Sequence, residues 1–101
     1  MIEIAIQALS PGISRETLVQ LADEQLNQEA HLQTVIQRFE SRYNGSLPAL
    51  EARLTRGEGQ EHPDWEDSIE WRNVLEALHH ARMLRRVLEW LRDSIVPPTR
   101  L

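Results

Sequence analysis

From Ser14 to Asn44, and again from Pro63 to Ile95, apolar residues return at steps of three and four. That spacing is the period of an α-helix with one apolar side, and two such helices leave a short chain few ways to fold. The first stripe runs through Leu18, Leu21, Ala22, Leu26, Leu32, Val35, Ile36, Phe39 and Tyr43, with Ser14 as N-cap and Asn44-Gly45 as stop. Gln25, Gln28 and Glu29 fall where this stripe should continue, which predicts a kink or a polar layer there. The second stripe is a heptad seam of Val74, Ala77, Ala81, Leu84, Leu88, Leu91 and Ile95, widened by Leu75, Leu78, Val87 and Trp90.

Between the two, Ser46 caps "LPALEARLTRG", whose Pro48 suits a first helical turn and whose Gly57 ends it. "GEGQEHP" reads as a turn. The predicted fold is all-α, one domain: an arm over 1–12, a long helix over 14–44, a short helix over 46–57 and a long helix over 63–95. These make an antiparallel helical hairpin with a short connecting helix. One hairpin cannot cover both stripes, so the expected completion is a four-helix bundle, through dimerisation or a partner protein. In the arm, "IEIAIQAL" alternates Ile2, Ile4 and Ile6 with Glu3, Ala5 and Gln7 before "SPG" breaks the pattern. It reads as a loosely docked segment, or as a short strand or helical start that pairs across a dimer. A ribbon–helix–helix DNA-binding dimer is disfavoured, because residues 1–13 carry Glu3 and no Lys or Arg.

With 101 residues and no cysteine, stability must come from packing, and self-association would help. No basic n-region precedes an apolar run, and no run approaches the ~20 apolar residues of a membrane span. A soluble, unprocessed, cytoplasmic protein is expected. The net charge of −5 argues against general nucleic-acid binding. Its distribution is uneven: residues 1–57 carry seven acids and five arginines, 58–71 six acids and no base, and 72–101 three acids and six arginines.

The acidic segment also holds two of the three tryptophans, Trp65 and Trp71, in "HPDWEDSIEW". Acids at the start of a helix and Arg82, Arg85, Arg86 and Arg92 toward its end complement the helix dipole, which accounts for the charge gradient but not for the indoles. Six positions apart, the indoles diverge by about 240° and cannot both enter one narrow seam. Trp71 is expected beside Val74 and Leu78, and Trp65 under the 46–57 segment with Ile69, unless one of them meets a partner. A segment that is both acidic and aromatic suits a basic, grooved protein surface. The residues assigned to partner binding are Trp65, Glu66, Asp67, Glu70 and Trp71.

Enzymatic motifs are sparse. Glu76 and His79 have the Glu-x-x-His spacing of di-iron bundles, but a site needs a second such motif and inward-facing ligands. His79 and His80 diverge by about 100° and cannot readily chelate together. His31 and His62 have no ligand partner at close spacing; there is no P-loop, no G-x-G-x-x-G and no nucleophile elbow. Arg82, Arg85 and Arg86, interspersed with Met83, Leu84, Val87 and Leu88, read as the solvated edge of a core helix before they read as a phosphate site. No catalytic residue, cofactor or metal is assigned.

The stretch from Phe39 to Leu78, with its aromatic, "YNGSL" turn, Leu-rich short helix and acidic "HPDWEDSIEW" leading into a long helix, resembles the small α-helical antitoxin-like proteins of prokaryotic toxin–antitoxin pairs. The resemblance implies a non-enzymatic protein that binds and masks a basic ribonuclease-like or transferase toxin. It carries over no catalytic motif, and the chain lacks the DNA-binding module of many antitoxins. The alternatives are a homodimeric helical-bundle scaffold without an acidic-patch ligand, and a bundle metal or small-molecule enzyme using Glu76 and His79.

Overall fold

The computed structural model describes residues 14–95, among which every regular element is helical: α1 (Arg15–Tyr43), α2 (Leu47–Thr55), a wide turn (Glu61–Trp65) and α3 (Glu66–Ser94). The expected arm over 1–12 lies outside the described residues. Ser14 has extended backbone angles and its Oγ accepts from the Thr17 N–H at 3.1 Å. Such a cap is worth about 1 kcal/mol. At the far end of α1, Asn44 takes the left-handed conformation (φ 52°) that Asn tolerates better than most side chains.

Ser46 starts α2 in the same way, accepting from the Ala49 N–H at 3.3 Å, with Pro48 in the first turn. Gly57 follows with φ +78°, a conformation that a Cβ would strain, and the Gly57 and Glu58 N–H groups close the helix on the Leu54 and Arg53 carbonyls. In the turn, His62 is the residue with non-helical angles, and its peptide bond to Pro63 is cis. Helical backbone resumes at Pro63 and runs on into α3.

α1 and α3 pack antiparallel through three apolar clusters. Leu18 and Ala22 meet Leu88 and Leu91 at the open end, and Leu32 meets Leu78 and Ala81 in the middle. At the closed end Phe39 and Trp71 join Leu47, Leu50 and Leu54 of α2. A polar layer separates the first two clusters. Glu29, 6% exposed, accepts from Arg85 through both carboxylate oxygens, and Arg82 Nε stands 3.7 Å away. The interruption in the first stripe is therefore an ion-pair layer within an unbroken α1.

Several expectations about packing change: Leu26 of the first stripe is exposed, and so are Leu75, Val87 and Trp90, expected to widen the second. Leu84, placed in the seam by its heptad position, is 47% exposed. Its neighbour Arg85 turns inward to meet Glu29, which leaves Leu84 about 100° away from that direction. Of the two tryptophans, Trp71 keeps its expected neighbour Val74 and is also the one that lies under α2, 1% exposed and stacked on Phe39 with ring centroids 5.4 Å apart, whereas Trp65 is exposed.

Candidate protein-binding face

The start of α3 is fastened to α1 by a small polar lock. The Arg42 guanidinium donates to Asp67 Oδ2 at 2.7 Å, and the Tyr43 hydroxyl donates to the same oxygen. The hydroxyl also lies 3.3 Å from Asp64 Oδ1, while Asp64 Oδ2 accepts from the Gln60 N–H at 2.9 Å. Burial by itself pushes the Asp67 carboxyl up, but the Tyr43 and Arg42 hydrogen bonds outweigh it and hold the group below the ordinary carboxylate range. The Tyr43 phenol is pushed up, first by burial and then by the hydrogen bond to Asp67. With Trp71 packed behind it against Phe39 and Tyr43, the lock fixes the phase of α3 about its own axis.

That phase decides which sequence-assigned residues can reach a partner. Trp65, Glu66 and Glu70 are exposed; Asp67 and Trp71 are buried, 8% and 1% exposed. Contact through Asp67 or Trp71 would require the hairpin to open, so these two shape the face from behind. Ile69, 59% exposed, stands one turn after Trp65, 47% exposed, and forms the apolar part of the face with it. Both are expected from the sequence to tuck under α2, and the structure leaves both exposed. The signal was present in the i, i+4 spacing, but the short helix had to be assigned to Trp71 first.

The electrostatics are milder than the acid count suggests. Glu58 pairs with Arg56, whose hydrogen bond holds the carboxyl below its ordinary range, and Asp67 is held by Arg42. Glu66 lies 3.0 Å from His62 Nδ1, and Glu70 borders a shallow depression shared with Arg38 and Arg42 of α1. Glu66 and Glu70 each follow one of the two exposed apolar residues, so an acid flanks each apolar contact.

The apolar face does not end at Ile69. At 100° per residue, Trp65, Ile69, Met83, Val87 and Trp90 fall within a sector of about 60°, on the order of 180° from the seam that packs on α1. Met83, Val87 and Trp90 are 49%, 52% and 41% exposed. Arg72, Glu76, His79 and His80 occupy the sector between the two apolar ends, where with Leu75 they line an open depression.

The alternative chemistries gain no geometry. Glu76 and His79 are exposed, and among the described residues no three His, Asp or Glu side chains converge as a ligand set. Arg85 and Arg82 turn toward Glu29. No described helix is long and apolar enough to cross a membrane. No family model, curated protein or solved structure matches the chain.

Proposed function

We propose that the protein is a non-catalytic protein-binding module of the antitoxin kind, working in the cytoplasm, that neutralises a basic toxin by occluding its site. The observation that supports this reading is the pair Trp65 and Ile69, 47% and 59% exposed and one turn apart where the wide turn runs on into α3, each followed by an acid. An exposed indole on a rigid helix loses little conformational freedom on binding, and tryptophan is enriched among residues whose truncation costs a complex 2 kcal/mol or more. Glu66 and Glu70 favour encounter with a positive surface. In this reading the partner takes the face as a preformed ridge, with Trp65 entering its groove.

Tagged protein purified from its native host is expected to bring down one small basic protein at fixed stoichiometry. Titrating that protein with the wild type, Trp65→Ala and the pair Glu66→Gln/Glu70→Gln then tests the contacts. Trp65→Ala should weaken binding tenfold or more, and the amide pair should slow association and flatten its salt dependence. Unchanged affinity for Trp65→Ala with an intact fold rejects the reading.

A second reading, a homodimeric scaffold, is favoured by the continuation of the stripe through Met83, Val87 and Trp90, beyond the reach of the acidic segment.

A further inference from the structure

The exposed stripe of α3 is complementary to itself when a second copy runs antiparallel. Take the level of Leu78 as the crossing point. Ile69 and Val87 are equidistant from it, so each meets the other's counterpart; Trp65 and Trp90 are nearly so. Glu76 and His80 are also equidistant, so in the polar middle of the stripe a carboxylate faces an imidazole on both sides of the axis. A parallel arrangement would set Glu76 against Glu76 and His80 against His80. The antiparallel one also opposes the two helix dipoles, setting the acidic first turn of each α3 at the level of the other's C-terminal half.

We propose that a second copy of this chain docks on the α3 stripe, forming a two-fold dimer with Ile69 against Val87, Trp65 beside Trp90 and Glu76 facing His80. This goes beyond the partner-binding reading by naming what covers the face when no foreign protein does, and it shares with that reading only the exposed stripe. Since the stripe points away from α1, the two hairpins form a row with both α3 helices in the middle, not a closed four-helix bundle.

Size sets the strength. From Trp65 to Trp90 the stripe is about 38 Å long at 1.5 Å per residue, and a helix presents a width of about 10 Å. The footprint is thus about 400 Å² per copy, or about 800 Å² in total, below the ~1,200 Å² of stable complexes. Weak, transient self-association follows, which a tighter partner can displace.

The chain has no cysteine, so single cysteines report the register cleanly. Ile69→Cys and Val87→Cys are purified separately, confirmed helical by circular dichroism, and oxidised at high concentration alone and as an equimolar mixture. In the antiparallel register, Ile69 lies about 27 Å along the axis from its own counterpart, far beyond the ~7 Å that a disulfide spans. The mixture should therefore yield several-fold more disulfide-linked dimer than either variant alone. In parallel, light scattering of the wild type should show a mass rising with concentration toward two chains, and Val87→Glu should hold it at one. A mixture no better cross-linked than the single variants, or a wild type that stays at one chain, overturns the dimer. Neither readout contains a foreign protein, so this failure is distinct from a failed toxin titration.

Discussion

Replacing Trp71 by alanine should bring the protein close to unfolding. The indole is 1% exposed, stacks on Phe39 at 5.4 Å and an interplanar angle of 12°, lies 6.2 Å from the Tyr43 ring, and closes the cluster that holds α2 on the hairpin. Burying a side chain of roughly 150–250 Å² at about 25 cal/mol/Å² gives about 4–6 kcal/mol, and large-to-small changes at buried aromatics cost about 3–5 kcal/mol. We take about 4 kcal/mol, against a total of roughly 5–15 kcal/mol for a domain. With a urea slope of roughly 1–3 kcal/mol/M, the midpoint should fall by more than about 1 M. Urea unfolding followed by far-UV circular dichroism at low protein concentration measures this directly. Trp65→Ala is the control, expected within about 0.5 kcal/mol of the wild type because the side chain is half exposed. A midpoint shift under about 0.3 M for Trp71→Ala, or a larger one for Trp65→Ala, would refute the division of the two indoles into core and face.

Three further outcomes follow from the same structure. Because Tyr43 and Arg42 hold the Asp67 carboxyl below its unfolded value of ~3.9, its contribution is present above that pH and is lost as pH falls through the lower folded value. Asp67→Asn should therefore be less stable than the wild type near neutrality, with the gap closing in acid, as urea midpoints across pH will show. In the polar layer, Arg85→Ala leaves Glu29 buried beside a more distant Arg82 and should be the more damaging change, whereas Glu29→Leu restores the apolar stripe and should be within about 1 kcal/mol of neutral or stabilising; thermal melts of the two variants compare them. Gly57→Ala meets nothing within 4 Å, so its expected cost of about 1 kcal/mol is backbone strain alone, measurable by the same melts.

The helices were legible because their signals are local. Ser14, Ser46 and Asn44 sit at the expected caps and stops, and steps of three and four mark both long helices. Periodicity also located the polar layer, through Gln25, Gln28 and Glu29, but could not choose between a kink and an ion pair. That choice depends on Arg85, far along the chain and brought to the same level only by the antiparallel register. Heptad counting failed at Leu84 for the same reason, since the Glu29–Arg85 pair claims the inward direction there.

The face was legible in part. Sequence position alone treats "HPDWEDSIEW" as one acidic aromatic block, but a helix distributes neighbouring residues around its axis, and the Arg42–Asp67–Tyr43 lock selects which of them point outward. It takes Asp67 and Trp71 inward, leaves Trp65, Glu66 and Glu70 outside, and adds Ile69. Leu75, Val87 and Trp90 have the spacing that widens a core stripe, yet all three are exposed, as is Met83. Their exposure shows how much apolar surface a single hairpin leaves uncovered.

The most direct test of the binding face is a calorimetric titration of the protein recovered from the native host with wild type, Trp65→Ala and Ile69→Ala, each first shown to unfold like the wild type. Trp65→Ala is expected to lose affinity tenfold or more and Ile69→Ala to lose less. Equal affinities across all three would contradict this and move the contact surface off the start of α3.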